Sequence, residues 1–464
     1  MRYELVPYTK GRVLELASDG RRTFPHFITV DEGRGDNWKP DIITSLKDLS
    51  IFASQSMDAI YAKNVIENID EREKVLCEWW RVIKHGGYLV FECDEKKMST
   101  KELIELMGGG SPWDLVVSEH GFWQVYQKGG KKHTYSYTET IPDKTCAIFR
   151  HGGFGDMIQM SPLLPSLKDM GYHITLYTSH YGEQVVRHDP HLDKIIIMDK
   201  DQVPNHELVY YWQYLSDKYD KFINLSESVE ASLLVRDDRV SHWWSKQAIE
   251  AYTFHNYHDF THLIAGVPKK YEPKFYSTKQ ERKWAASKRK KIGGKLVMWA
   301  LAGSSVHKIY PWLDQVIAHF MLNTQDVNFV LVGSEDCKII ESPWRDEKRV
   351  ACLSGECSVR ESMALAMLCD VVIGPETGIL NAVSHEDVPK IVNLSHSSVE
   401  NLTKYWKNCI SLEPEDCPCH PCHKTIYGFE NCVRDNKTGV SLCQANIHPP
   451  AVIGAIGKQL NDNL

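Results

Sequence analysis

The chain has 464 residues, with 54 Lys and Arg against 61 Asp and Glu and a formal net charge of −7. At about 100 to 200 residues per domain, this length calls for two to four domains. Charged residues at 25% and apolar ones at 42% exclude a disordered, collagen-like or coiled-coil chain, and the lack of a basic excess disfavours a protein held to nucleic acid mainly through phosphates.

Residues 1–12 lack the apolar core of a signal peptide and no run of 18 apolar residues occurs, so the expectation is a cytoplasmic protein with no membrane span. Taken in chain order, 11–17 (GRVLELA), 27–32 (FITVDE), 57–67 (MDAIYAKNVIE) and 86–92 (GGYLVFE) are short apolar runs that read as strands. Between the last two, 71–84 has the apolar spacing of a helix, which makes a βαβ pattern, and 107–133 reads as a hairpin running into a linker. A second unit opens with the strand 145–150 (TCAIFR), a Gly-rich turn and a helix, followed by strands at 173–179 and 194–199. The aromatic and His-rich stretch 242–263 reads as buried helices, its histidines as core or interface groups. The basic run 281–295 reads as the solvated face of a helix leading into the strand 295–301, the alternative being a phosphate contact. A third unit alternates again through 328–334, 349–355, 361–374 and 390–395. The expected division is 1–133, 134–275 and 276–464, an α/β chain in which doubly wound sheets bind ligands at strand carboxyl ends.

In the first unit, Val13-Leu14-Glu15-Leu16, the acidic strand end Asp31, Asp58-Ala59-Ile60-Tyr61 and the string Arg81-Val82-Ile83-Lys84-His85-Gly86-Gly87 before a strand resemble, in order, the class I S-adenosylmethionine-dependent methyltransferases. The family's first loop carries two or three glycines that let the backbone approach the cofactor. Here Gly20 alone remains, beside Ala17 and Asp19, and the link to the second strand is too short for the usual helix. The resemblance therefore implies a degenerate domain that holds S-adenosylmethionine poorly or not at all. If it does bind, Glu15 lies near the methionine end and Asp31 takes the ribose hydroxyls.

The second and third units carry His151-Gly152-Gly153-Phe154-Gly155-Asp156, then Ser161-Pro162, Ala302-Gly303-Ser304 with Lys308, Val332-Gly333-Ser334-Glu335 and Gly374-Pro375-Glu376-Thr377-Gly378. In this order they resemble the heptosyltransferases of glycosyltransferase family nine over some 320 residues. The resemblance implies a GT-B fold of two Rossmann-like domains, preceded here by the small methyltransferase-like Rossmann domain. It also implies an inverting sugar transferase that needs no catalytic divalent metal. A Gly-rich turn before a helix presents free amides to an anion, or is a plain tight turn. Asp156 matches the family's general base, or is a helix N-cap. Lys308 matches the lysine that compensates the leaving diphosphate, or is a surface lysine. By the same resemblance Gly153 and Gly155 let the donor approach, Glu335 reaches the nucleoside, Thr377 and Gly378 hold the diphosphate, and Glu376 meets sugar hydroxyls. The family motif has Asp at position 376 and His at 381, where this chain has Glu376 and Asn381.

Five of the thirteen cysteines fall within residues 417–443. Cys419-x₂-Cys422 turns two sulfurs toward one ion, and Cys432 and Cys443 complete a four-thiolate set, with Cys417, His420 and His423 in reserve. Disulfides or free thiols are the alternatives. Family-nine relatives that glycosylate autotransporter proteins are similar here, with an iron-holding four-cysteine site, which implies a structural iron or zinc. The expected partners are a nucleoside diphosphate sugar, ADP-heptose by resemblance, and a glycan or protein hydroxyl, in a chain that forms homo-oligomers. Glycosylation of a hydroxymethylated DNA base, a methyltransferase with a glycan-recognising C-terminal part and a non-catalytic assembly protein stand as other readings.

Overall fold

The computed structural model describes residues 2–17, 21–33, 39–109, 114–118, 121–129, 143–199, 202–226, 243–245, 247–248, 251, 254–303, 305–423 and 432–460. They form two compact units, one of Met1–Asp143 with Ile196–Tyr219 and the other of Lys144–Ile195 with Asp220–Leu464. Gly20, Asp19 and the linker from Gly130 to His133 lie outside the described residues.

In unit 1, strands β1 (Val13–Leu16), β2 (Phe27–Asp31), β3 (Ile42–Ile43) and β4 (Met57–Lys63) lead through helix α1 (Arg72–Val82) to β5 (Ile83–Cys93). Helix α2 (Thr100–Leu106) and the strands β6 (Asp114–Ser118) and β7 (Gly121–Gln127) follow. The sheet order is β3-β2-β1-β4-β5-β7-β6. It is parallel through β5, and β7 joins β5 and β6 antiparallel, as the hairpin reading of 107–133 predicts. Strand β1 is buried along its whole length, as a central parallel strand covered on both faces must be. Trp79 fills the core beneath the sheet and donates its indole N–H to the Leu46 carbonyl at 2.8 Å.

Unit 2 contains two sheets. The first is built from β8 (Thr145–Phe149), helices α3 (Phe154–Met160) and α4 (Leu163–Asp169), β9 (His173–Thr178), α5 (His180–Val186) and β10 (Lys194–Ile197). Helix α6 (Leu208–Lys218) intervenes before β11 (Lys221–Asn224), and the sheet order is β10-β9-β8-β11. After α7 (Tyr257–Ala265) and α8 (Lys279–Ile292), the second sheet is entered at β12 (Lys295–Ala300), followed by α9 (Leu313–Asn323), β13 (Val327–Val332), α10 (Lys338–Glu341), β14 (Val350–Cys352) and α11 (Val359–Ala366). It ends with β15 (Val371–Pro375), α12 (Gly378–Ala382), β16 (Lys390–Asn393), β17 (Cys409–Leu412), α13 (Leu442–Ala445) and α14 (Pro449–Leu460). Its order β14-β13-β12-β15-β16-β17 is wholly parallel and reverses direction beside β12, the place where such sheets open a ligand crevice. The two sheets share one apolar core, in which Met157 and Ile158 of α3 meet Met363, Ile379 and Leu380.

The two units do not follow the sequence division: the expected second and third parts cluster together as unit 2, and one helix lies with unit 1. Helix α6, expected within 134–275, packs with unit 1: Tyr211 and Tyr214 lie 5.3 and 5.9 Å from the Tyr3 ring, and Lys218 pairs with Glu4 at 2.8 Å. The stretch 242–263 is also less buried than its rings suggest, since Trp243 and Leu263 are 73% and 70% exposed. Much of it lies outside the described residues. The basic run is helix α8, closed at its start by a Thr278/Glu281 capping box and at its end by Gly293. No helix among the described residues is long and apolar enough to cross a membrane.

Arg360 of α11 is 2% exposed and uses its guanidinium to clamp elements of both sheets. It donates to the Val185 carbonyl at 2.6 Å, to the Tyr276 carbonyl at 2.6 Å and to both oxygens of Glu281 at 2.6 and 3.0 Å. Removing one partner of a buried, fully bonded ion pair strands the other. Arg360→Ala is therefore expected to destabilise unit 2 by about 3–5 kcal/mol in chemical denaturation.

His258 and His262 of α7 have rings 4.5 Å apart, with His385 5.8 Å from His258. Burial holds all three below the usual histidine range, His258 at about 3 and His385 at about 4, so they are neutral in the folded protein at pH 7. A histidine depressed on folding gives stability that is complete above its unfolded value near 6.5 and is lost as the pH falls toward the folded value. The urea midpoint should thus drop between pH 6.5 and 4, and His385→Gln should make that drop shallower.

Candidate functional site

The turn after β8 and the turn after β15 meet. Helix α3 starts at Gly153, whose N–H donates to Asp156 Oδ2 at 2.6 Å, so Asp156 does cap its own helix. Its other oxygen, Oδ1, faces the Arg150 guanidinium at 3.3 Å, and Arg150 is itself buried and donates to the Leu225 carbonyl at 2.5 Å. The Asp156 side chain remains 26% exposed, so a lone pair on the carboxylate is still open to a ligand.

Helix α12 begins at Thr377, whose hydroxyl accepts from the Leu380 N–H at 3.4 Å, and it packs against α3 at close range. A Cβ on Gly378 would stand 2.5 Å from the Phe154 Cβ, and one on Gly155 would stand 2.8 Å from Asn381 Nδ2. Both positions therefore require glycine for contact between the helices. Gln159 of α3 closes the seam by donating to Asn381 Oδ1 at 3.0 Å, and Asn381 Nδ2 donates to the Thr377 carbonyl at 2.9 Å.

Lys308 is not a surface lysine. It is 5% exposed, and its Nζ donates to the Glu376 carbonyl at 3.0 Å and lies 4.0 Å from Glu376 Oε2. Glu376 departs from the expected role. Its carboxylate accepts the Ser395 and Ser397 N–H groups at 2.8 and 3.1 Å, accepts the Ser395 hydroxyl and faces His396 Nδ1 at 3.5 Å. Burial opposes its charge, but the His396 imidazole, the Lys308 ammonium and the Ser395 hydroxyl hold the carboxyl well below the ordinary range. The longer side chain thus reaches inward to the loop after β16, and its oxygens are taken by the protein. Glu335 stands apart from this cluster, exposed on the turn after β13 and paired with Lys338 at 2.9 Å.

Three contributors escape a motif reading. Arg150 precedes the Gly-rich turn, where a cation ending an apolar strand is a usable signal. The polar run Ser395-His396-Ser397 after an apolar strand is a weaker one. Tyr257 has none: it is 4% exposed, its hydroxyl is 3.5 Å from Ser397 Oγ, and burial raises its phenol, with Glu376 and Asp156 both adding to the effect.

The cysteines do not assemble as expected. Cys419, Cys422, Cys432 and Cys443 do not surround one point, and among the described residues no three His, Cys, Asp or Glu side chains are grouped to hold a metal ion. The sulfurs that meet are those of Cys417 and Cys419, at 3.6 Å, while Cys432 turns to the Val433 carbonyl and the buried Cys443 to Ser441 Oγ at 3.4 Å. Burial pushes Cys417 up to about 12 and raises Cys443 as well, with Cys417 and Cys432 adding to the effect on Cys443. Among the described residues the side chains are not gathered as a site for iron or zinc, and no chemistry is routed through either.

In unit 1, Glu15 is 2% exposed and its carboxylate is taken by Thr23, through the N–H at 2.9 Å and the hydroxyl. Burial raises its carboxyl. Asp31 is half-buried at the carboxyl end of β2. With Glu15 turned to Thr23, its carboxylate oxygens are already engaged within the chain.

The type 11 methyltransferase family, described as a methyltransferase domain, matches residues 26–91. A family 9 glycosyltransferase from Veillonella parvula is 17% identical over 69% of this chain and 98% of its own, with a TM-score of 0.49. ADP-heptose lps heptosyltransferase II of E. coli is 15% identical over 68% and 98%, at 0.47. The iron-containing dodecameric glycosyltransferase TibC of enterotoxigenic E. coli is 14% identical over 68% and 78%, at 0.43. A methyltransferase-like N-terminal domain is joined to a portion similar to family nine glycosyltransferases. No curated protein matches the chain.

The α3–α12 seam gives a direct test of the geometry. Gly155→Ala should overpack it, lowering stability by about 1–3 kcal/mol in urea titrations, whereas alanine at the solvent-facing Gly454, with nothing within 4 Å of a Cβ, should not.

Proposed function

We propose that the chain is an inverting glycosyltransferase that moves a sugar from a nucleoside diphosphate donor to a hydroxyl acceptor. The observation that supports this most is the direct contact of the Asp156 helix with the Glu376-Thr377-Gly378 turn that also anchors Lys308. A carboxylate with an open lone pair and a buried ammonium with unused N–H donors flank one seam, and a displacement at an anomeric carbon needs one of each.

In this reading the acceptor hydroxyl gives its proton to Asp156 as its oxygen bonds to the anomeric carbon. The bond from that carbon to the diphosphate breaks on the opposite face. Gly153 N–H and Arg150 hold the Asp156 carboxylate in one orientation, and Lys308 compensates the charge that builds on the leaving phosphate. Thr377 and Gly378 offer backbone amides to the diphosphate, Gly153 leaves room for the sugar, and Gly155 acts instead by letting α12 approach α3. Glu335, exposed at a strand end, is positioned for the nucleoside. ADP-heptose, which names the similar E. coli enzyme, is the first donor to try, with a surface glycan or a protein hydroxyl as acceptor.

Thermal shift with ADP-heptose, UDP-glucose, UDP-N-acetylglucosamine and GDP-mannose in turn identifies the donor. Asp156→Asn should then cut sugar transfer by roughly 10² to 10⁴ while the donor-induced shift in Tm persists. Undiminished transfer by that variant would refute the assignment of the base.

A further inference from the structure

The histidines beside the cysteines have work of their own. His420 Nδ1 donates to the Ser395 carbonyl at 2.9 Å, and the His423 N–H donates to the His396 carbonyl at 2.9 Å. His423 is 4% exposed, and its Nδ1 accepts from Asn401 Nδ2 at 3.2 Å. Its backbone sits at φ +54°, a conformation that a side-chain-bearing residue adopts only where its surroundings impose it. His420 by its ring and His423 by its backbone N–H, itself set by the Asn401 bond to its ring and by φ +54°, therefore grip consecutive residues of the loop after β16 from its outer side. From the inner side, Ser395 and Ser397 of the same loop present N–H groups to Glu376, whose carbonyl takes the Lys308 ammonium. A continuous chain of hydrogen bonds thus runs from the cysteine-bearing segment through residues 395–397 and Glu376 to Lys308.

We propose that His420 and His423 are positioning residues for the donor site: the segment Cys417–His423 is its outer wall and sets the loop that holds Glu376 and, through it, Lys308. This rests on the reading of Lys308 as the group that meets the donor diphosphate. Without the two grips, residues 395–397 keep only the Glu376 bonds and the Tyr257 contact to Ser397 Oγ, and both Glu376 and the Lys308 ammonium are held less firmly.

The test is calorimetric binding of ADP, UDP and GDP, each used separately, to the full chain. Wild type should bind at least one of them, and Lys308→Ala should lose that binding. His420→Ala and His423→Ala should each weaken it roughly tenfold, about 1.4 kcal/mol. His420→Gln, which restores an N–H donor, and His423→Asn, which tolerates φ +54° and can still bond Asn401, should recover most of it. His423→Gly removes the backbone strain along with the side chain. It should keep a melting temperature near that of wild type and still bind weakly, which separates positioning from unfolding. If Lys308→Ala loses binding while both histidine-to-alanine variants bind as wild type, the inference is overturned and the donor reading stands. If wild type binds none of the three nucleotides, the donor reading falls and the inference falls with it.

Discussion

Unit 2 depends on one contact, the approach of two short helices, each beginning at a Gly-bearing turn. The α3 and α12 backbones come together because neither Gly155 nor Gly378 carries a Cβ, and the gap is bridged by the Gln159–Asn381 amide pair. Each helix also follows a strand of a different sheet, so this seam fixes the distance between the Asp156 carboxylate of the first sheet and the Thr377-Gly378 turn of the second. The shared apolar core and the Arg360 clamp hold the same two layers at other points. The functional groups inherit their spacing from this packing, and loops are left to supply chemistry rather than placement.

Electrostatics at the seam follow from burial. Two carboxylates stand at this seam, and each has its own set of partners. Asp156 has a backbone N–H and a buried guanidinium. Glu376 has two backbone N–H groups, a hydroxyl, an imidazole and an ammonium. The first arrangement leaves an open lone pair and the second leaves none. That difference separates a group able to take a proton from one that serves as a rivet, and a motif alignment assigns both to substrate.

Much of this was legible in the sequence. Apolar runs of strand length, separated by helical spacing, locate the parallel sheets, and the closing hairpin of unit 1 follows from its turn residues. The Gly-rich turns, Asp156 and Lys308 lie where strand ends put them. What escaped depends on contacts between residues distant in the chain. No local pattern says that Glu376 turns inward to Ser395, that Tyr257 lies between two carboxylates, or that Cys417 rather than Cys422 faces Cys419. Cysteine spacing carries the geometry of a chelate only when the backbone between the sulfurs curls around an ion. Here it runs past the loop after β16, and the histidines bond that loop.

Helix α6 gives the chain a topology that its linear order conceals. Tyr211, Tyr214 and Lys218 complete a unit whose other residues ended some fifty positions earlier, joined by Gln202 to the Val6 carbonyl and Asp199 to the Gly11 N–H. The methyltransferase-like part is consequently not a detachable cassette. A gene fragment ending at residue 143 would leave Tyr3 without the rings of Tyr211 and Tyr214, and a fragment beginning there would carry an orphaned tyrosine-rich helix. A cut that respects the fold has to follow the chain out of unit 1 and back into it.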